Sequence, residues 1–556
     1  MGISSAGIGS GLDVNAIVTS LMGVEKQPLT NVTNQISAYQ SQISAYGTLK
    51  SSLSAFQTTV SALSTASKFN AQAATSSNSS LFTATASGSA TIGNYAVTVS
   101  QLAQSQKLAS AGFANTTDVV GTGTLTISFG TYTAASAGPP AVAESFAANA
   151  AKTNLTVTID STNNTLAGVR DAINATNASV SATIINNGTS NQLVITSKDT
   201  GAVNSLKVSV ADSDGNNTDA LGLSQLAYDP MAAGVKNLSQ LQAAKDALLS
   251  IDGIAVTKAS NTISDAISGV TLNLLSTSAT AANLGVTSDT ATIQASVTAF
   301  VDGYNKLDTT LRNLTKFDPT GKNSGPLLGD ATARTVINQI KSVLTKAIAS
   351  GGSLTTLSQI GVSFQSTGQL ALDQTKLTAA MATNLGNVAS LFAPAATATD
   401  SQVSYVGSTN NTKAGTYAVS VSSMGPPVSG TINGVAAVGF NTGLVGAIGD
   451  ASEGLSIKVS GSTTGARGTV NYTIGYAAQL NSLMTSLLSD TGLVTARTDG
   501  INSSITRLNQ QADSINIRLV AIEARYRAQF TALDTAMASM STTSSFLTQQ
   551  LAALNK

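Results

Sequence analysis

The chain contains no cysteine, no histidine and no tryptophan. Without cysteine there is no disulfide, and without cysteine and histidine there is no ordinary structural zinc site, haem or iron–sulfur cluster. Without an imidazole there is no Ser-His-Asp triad and no histidine base. Glutamate occurs only at Glu25, Glu144, Glu453 and Glu523. Charge is scarce as well: 28 basic and 28 acidic residues make up 10% of the chain and cancel, where ordinary globular proteins carry about 25%. Nothing in that balance favours nucleic acid or an anionic membrane. No apolar run reaches the roughly 18 residues that a transmembrane helix needs. The opening MGISSAGIGSGLDV has no basic start followed by an apolar stretch, so it does not read as a secretory signal peptide. The expectation is a protein with no enzymatic activity, no metal and no cofactor, acting by assembly or binding.

What fills the space is serine and threonine, 145 of 556 residues. The length corresponds to three or four domains at roughly 150 residues each. The two ends differ from the middle. Near the start an apolar residue recurs every seven positions, at Val32, Tyr39, Tyr46, Leu53 and Val60. A second row flanks it, Leu29, Ile36 and Ile43, then Leu49, Phe56 and Leu63, slipping by one residue around Gly47. Two such rows predict a coiled-coil helix, with a kink or a change of packing partner at the glycine.

The C-terminus repeats the pattern. One row is Ile505, Ala512, Leu519, Tyr526, Leu533, Met540 and Leu547; the other is Ile501, Leu508, Ile515, Ile522, then Phe530 and Met537. These spacings predict a helix from about Ile501 to Leu547, near 70 Å long at 1.5 Å per residue. Heptads at both ends imply that the ends pair with each other or with neighbouring copies. Between Asn31 and Ser67 the only charge is Lys50. Ordinary two-stranded coils set register with flanking charges; here shape and neighbours must set it.

The middle alternates apolar and polar residues in NYAVTVS from Asn94, TLTISF from Thr124, NLTVTID from Asn154, VSATIIN from Val180, NQLVITS from Asn191 and SLKVSV from Ser205. Gly, Asn and Asp punctuate these stretches, as strands joined by turns require. One echo stands out: GNYAVTVS from Gly93 returns as GTYAVSVS from Gly415, where it opens a second β-rich stretch, Ser401 to Tyr476. A single echo does not define a repeat array. Ala291–Leu314 and Ala331–Ile348 read as helices.

Candidate chemical sites are weak. DSDGNNTD, Asp212 to Asp219, offers oxygen ligands, but Gly215 falls at position four rather than six and no glutamate follows, so a turn is the better reading. TGKNSG around Lys322 lacks the phosphate-loop spacing. Arg525, Tyr526 and Arg527 read as solvated side chains bracketing a buried ring.

Several strings carry a family resemblance. RYRAQFTALDTAMASMSTTSSFLTQQLAALN, Arg525 to Asn555, and GIGSGLDVNAIVTSLMGVEKQPL, Gly7 to Leu29, resemble the two ends of the bacterial flagellar filament-capping family, flagellar hook-associated protein 2. IDGIAVTKASNTISDAISGVTLNLL from Ile251, FVDGYNKL from Phe300, GPLLGDATAR from Gly325 and LSQIGVSFQSTGQLALDQTKL from Leu357 fit the same family in the same order. NNTLAGVRDAINATNASVSATIINNG from Asn163 is similar to a motif shared with flagellins and other hook-associated proteins. The chain departs after LFAP at Leu391–Pro394: such chains more often pass quickly to the closing helices, and here a β-rich insertion intervenes.

The resemblance implies a multidomain α+β protein with terminal coiled-coil helices, a helical head and β-rich legs. The expected division is 1–66 N-terminal segment and coiled coil, 67–117 and 245–290 inner leg, 118–244 outer β domain, 291–400 head, 401–476 additional β insertion, 477–500 return to the head, and 501–556 C-terminal coil. The packing residues would be Ile36, Tyr39, Ile43, Tyr46, Leu53, Phe56, Val60, Ile505, Leu508, Ile515, Leu519, Ile522, Tyr526, Leu533 and Met540. Implied partners are the chain itself as a homopentamer or similar ring, flagellin, the hook–filament junction proteins and a flagellar export chaperone, with no nucleic acid and no membrane. The implied location is extracellular, at the distal tip of the flagellum, after export unfolded through a narrow channel; Met1 to Leu12 would hold an uncleaved export signal. Two other readings stay open, a different flagellar axial protein (flagellin or a junction protein) and a secreted tip adhesin.

Overall fold

Two helices open the described chain. α1 (Val14–Glu25) starts at Asp13, whose carboxylate accepts the Ala16 amide at 2.9 Å and so caps the first turn. α2 (Gln27–Ser61) follows at once, with Pro28 in its first turn, where a missing amide costs nothing. The computed structural model describes residues 13–176, 179–321, 323–348 and 353–554; the export-signal segment Met1–Leu12 and Lys322 lie outside them. α2 runs unbroken across Gly47, correcting the kink expected there, and its packing partner changes earlier, between Ile36 and Tyr39. Exposed hydroxyls on α2 bond back to their own helix, Ser41 to the Ser37 carbonyl at 2.9 Å and Ser51 to that of Gly47 at 3.0 Å. This satisfies them without a partner helix.

The chain then forms two compact units, Asn70–Asp289 on the one hand and the residues up to Phe69 with those from Thr290 onward on the other. The first unit holds two β lobes, one strung inside the other. The inner lobe begins with β1 (Gln72–Ser76), β2 (Phe82–Ala86) and β3 (Gly93–Gln101). The outer lobe follows: β4 (Lys107–Ala109), β5 (Gly123–Thr133), β6 (Ser145–Ala148), β7 (Leu155–Ile159), α3 (Leu166–Ala175), β8 (Val180–Asn186), β9 (Asn191–Ser197), β10 (Ser205–Asp212) and β11 (Ser239–Gln242). The chain then completes the inner lobe with β12 (Ala247–Ile251), β13 (Ile254–Lys258), β14 (Thr262–Ile267), β15 (Val270–Leu274) and β16 (Ala282–Ser288).

Each lobe buries the apolar half of its alternating strands. In the inner lobe a five-stranded sheet, β1-β16-β3-β12-β13, and a three-stranded sheet, β14-β15-β2, share a core that includes Phe82, Val97, Val99, Leu272 and Leu284. In the outer lobe the sheets β10-β5-β6, with β7 on β5, and β11-β4-β9-β8 enclose Leu125, Ile127, Val169, Leu193 and Ile195 together with α3. Leu108 already belongs to this outer core, so the chain crosses between lobes just after Ala103 rather than at residue 117.

The second unit is a helical body: α2, α4 (Thr290–Thr315), α5 (Ala331–Thr345), the hairpin β17 (Val362–Phe364)–β18 (Leu370–Leu372), α6 (Gln374–Phe392), α7 (Tyr476–Leu488) and the start of α8 (Leu493–Leu554). At its centre Phe300 lies 5.8 Å from Phe56 and 6.0 Å from Phe392, ring centre to ring centre. Gly303 lets α4 approach α2 closely; a Cβ there would stand 2.7 Å from Thr59 Oγ1. Asn305 fastens the hairpin, its side chain exchanging two 2.8 Å bonds with the Leu370 backbone.

Between α6 and α7 the body carries a third β lobe: β19 (Ala395–Ala398), β20 (Val403–Gly407), β21 (Gly415–Ser423), β22 (Ser429–Ile432), β23 (Val435–Ala436), β24 (Val438–Phe440), β25 (Gly443–Val445), β26 (Ser456–Val459) and β27 (Gly465–Thr473). Its sheets, β19-β27-β21-β22-β23 and β20-β26-β25-β24, close over their own core of Val419, Val421, Ile432, Ile457 and Val470. The architecture is multidomain α+β.

Candidate functional site: the helical stem and its anchor

α8 spans 62 residues, about 93 Å at 1.5 Å per residue. It starts at Leu493 rather than near Ile501, because Val494 and Ile501 are held in the body core. Further along it leaves the body and pairs with the first half of α2, the two helices running antiparallel. Val32 of α2 shares one core with Ala512, Ile515 and Leu519 of α8, and Leu29, Ile36, Leu508, Ile522, Tyr526 and Phe530 pack around it. A third helix, absent from the sequence reading, completes the stem: α1 contributes Val14, Val18 and Met22. Their spacing of four places them on one helical face, a signal present in VNAIVTSLM but too short to register as a heptad.

Polar contacts tie α1 to α8. The Tyr526 hydroxyl donates to Glu25 Oε1 at 3.1 Å. Arg527 donates to Asn15 Oδ1 at 2.9 Å and to Glu523 Oε1 at 2.8 Å. Tyr526 is half-buried, less enclosed than the buried ring expected, and Arg527 is exposed as expected while also bridging to α1.

The structure sorts the heptad residues into three groups. Ile36, Leu508, Ile515, Leu519, Ile522 and Tyr526 come together in the stem. Tyr39, Ile43, Tyr46, Leu53, Phe56, Val60 and Ile505 belong to the body, the first two and the last at its margin. Leu533 and Met540 lie beyond the stem core and are 45% and 66% exposed, as part of an apolar row that continues through Leu547 and Leu551. Each buried aliphatic side chain of this cluster contributes about 1.5–3 kcal/mol to holding the three helices together.

Where stem meets body, three elements converge on one carboxylate. Asp330 caps α5, accepting the Ala333 amide at 3.0 Å. The same oxygen accepts the Tyr46 hydroxyl of α2 at 2.6 Å, and the other oxygen accepts Arg497 of α8 at 3.1 Å and 3.2 Å. Burial pushes the Asp330 carboxyl upward, but the Tyr46 hydroxyl, the Ala333 amide and the Arg497 guanidinium together hold it below the usual carboxylate range. The Tyr46 phenol is pushed up to about 12, by burial first and then by its bond to the carboxylate. Sequence reasoning placed Tyr46 in a coil row and GPLLGDATAR among the family strings, but Tyr46 and Asp330 are 284 residues apart and no local spacing joins them.

The other candidates are structural. Asp212 accepts the Ser224 amide at 2.7 Å and Asp214 the Asn216 amide at 2.8 Å, so these carboxylates shape a turn. Among the described residues no cluster of three acidic side chains could hold a metal ion, and no helix is long and apolar enough to cross a membrane.

Comparison with known proteins fits this geometry. The family model described as flagellar hook-associated protein 2 C-terminus matches residues 244–542, and the corresponding N-terminus model matches residues 10–106. Flagellar hook-associated protein 2 of Escherichia coli K12 is 35% identical over 557 residues, covering 99% of this chain and 98% of its own. That of Salmonella typhimurium is 29% identical over 561 residues, covering 100% of this chain and 99% of its own. A crystal structure of the flagellar cap protein of Escherichia coli aligns with a TM-score of 0.55 and 32% identity, covering 82% of this chain and 99% of that one. The chain, with its helical body, antiparallel stem and strung β lobes, belongs to the flagellar hook-associated protein 2 family.

Proposed function

We propose that this chain is the cap of a bacterial flagellar filament and works by assembly, with no covalent step. The observation that carries the reading is the apolar row of α8 beyond Phe530, with Leu533 and Met540 exposed, in a chain related to crystallised flagellar cap proteins. Such a row calls for a neighbour, and a second copy carries the matching helices. Copies joined through different faces close into a ring, a pentamer or a similar number. The ring covers the distal mouth of the hollow filament, keeps flagellin from diffusing away and gives each arriving flagellin a confined place to fold and join.

The remaining partners follow from that position: flagellin, the junction proteins on which the cap first rests, and an export chaperone that covers the α8 row before secretion. The location is extracellular, at the flagellar tip. Gold-labelled antibody against this chain should mark only the distal ends of intact filaments, with a few copies per filament. Labelling along the whole filament would make the chain a filament subunit instead.

A further inference from the structure

The echo between Gly93 and Gly415 extends through two whole lobes. β3 and β21 are each the middle strand of a five-stranded sheet. The sheet orders β1-β16-β3-β12-β13 and β19-β27-β21-β22-β23 correspond strand for strand in chain order. In the partner sheets, β2 on β15 on β14 corresponds to β20 on β26 on β25.

The register corresponds too. Tyr95 faces Leu284 and Tyr417 faces Val470. On the next strand Ala74 faces Val286 and Thr75 faces Gly285, as Ala396 faces Tyr472 and Thr397 faces Asn471. On the other side Ile251 faces Val97, and Ile432 faces Val419. Each tyrosine hydroxyl bonds the carbonyl four residues back, Tyr95 to Thr91 at 3.2 Å and Tyr417 to Lys413 at 2.5 Å.

The turns are equivalent. Asp252-Gly253 joins β12 to β13 with φ of 50° and 85°, and Asn433-Gly434 joins β22 to β23 with φ of 58° and 78°. Both are the residue pairs that a two-residue hairpin turn with positive φ favours. The first amide of each turn donates across the sheet to the residue after the tyrosine, Asp252 to Ala96 at 2.9 Å and Asn433 to Ala418 at 2.8 Å. Gly269 and Gly454, each with φ of 75°, precede the matching strands β15 and β26. Five strands in one order, in one register, with one turn chemistry, exceed what a shared β-rich composition produces.

We infer that Ala395–Thr473 is a second copy of the inner β lobe, mounted on the helical body as a second leg base. The second copy adds the strand β24 and joins β25 to β26 through ten residues where two join β14 to β15, but the largest difference lies at another connection. In the first, β3 and β12 part at the pair Gln101–Leu248, and the whole outer lobe is strung between them. In the second, β21 and β22 part at the pair Ser423–Ser429, each again just past a register shift, and only Met424–Val428 intervenes. That short connection therefore occupies the place at which the first copy carries the outer lobe. Both copies enter and leave through neighbouring antiparallel strands, Gln72 opposite Ser288 and Ala395 opposite Thr473, as a plug-in module must. This inference rests on the fold alone and does not depend on the capping role.

Two full-length variants test it. In the first, Gln104–Lys245 replaces Gly425–Pro427, giving the second copy an outer lobe of its own. Hydrogen exchange read by mass spectrometry should leave the strands holding Val419, Val421 and Ile432 as protected as before. The outer-lobe peptides, now present twice with identical sequence, should exchange as one protected population. A half-protected mixture, or loss of protection in β21 and β22, overturns the equivalence of the two connections. So does equal tolerance of the same segment at Ser462–Thr464, a loop whose Thr463 carbonyl is held at 2.8 Å by the buried Arg467. In the second variant the hairpin segments Ser250–Val256 and Thr431–Ala437 are exchanged. Melting of both lobes within about 5 °C of the parent is the expected result; loss of either lobe's transition refutes common design.

Discussion

The Asp330 anchor gives the sharpest energetic test, because one side chain serves three elements. In Asp330→Ala, α5 loses its cap, at about 1 kcal/mol. The Tyr46 hydroxyl, on a side chain with 0% exposure, is left buried without its partner, at about 1–3 kcal/mol. Arg497 is 41% exposed, so it turns to water and its ion pair adds no more than about 1 kcal/mol. The sum is about 2–5 kcal/mol, or a fall of roughly 10 °C in the melting of the helical body. Tyr46→Phe alone should cost about 1–2 kcal/mol. On the Asp330→Ala background the same change should be neutral or stabilising, since it removes the orphaned hydroxyl. Circular dichroism melts of the four proteins form the cycle. Equal cost of Tyr46→Phe on both backgrounds would refute the anchor.

The anchor also fixes the pH window. The native Asp330 carboxyl lies below its ordinary 3.8, so its contribution is complete above that value and is lost as pH falls through the lower native one. The Tyr46 phenol lies above its ordinary 10.0, so its contribution is complete below pH 10 and is lost as pH rises through about 12. The Asp330→Ala protein should show a flatter stability profile at the acid end.

Leu519→Asp should loosen the stem, by the 1.5–3 kcal/mol or so of a buried leucine plus the cost of a charge on a packed face, and amides of α1 should lose exchange protection. Leu533→Asp should leave the isolated chain unchanged and instead weaken assembly, read as a smaller species by analytical ultracentrifugation. Gly303→Val should destabilise the body by about 1–3 kcal/mol through overpacking against Thr59. Gly47→Ala, with open space around the added methyl, should raise the melting temperature, by the equivalent of about 1 kcal/mol.

Much of the fold is legible because its signals are local. Alternation between Gly and Asn turns places β3, β5 and β7 to β10 within a few residues, and helical periodicity finds α4 at Thr290–Thr315 and α5 at Ala331–Thr345. The heptads report a face, and a face does not name its partner. The row through Val32, Tyr39 and Tyr46 is one unbroken pattern in sequence, yet it serves the stem at Val32 and the body at Tyr46. The Asp330 anchor needs α2, α5 and α8 in place before it exists, so no segment alone contains it. The echo at Gly415 was visible, but the lobe behind it emerges only from strand order and register, where the agreeing residues are mostly small or apolar and scattered.

Loss of the cap tests the account most directly. In a strain lacking this chain, hooks should bear no filaments while flagellin accumulates in the medium as monomer, because flagellin leaving an open channel diffuses away before it can join. Purified full-length protein added outside the cells should restore filament growth, and a variant lacking Arg525 to Lys556 should not. Full-length filaments without this chain, with no flagellin in the medium, would contradict the account.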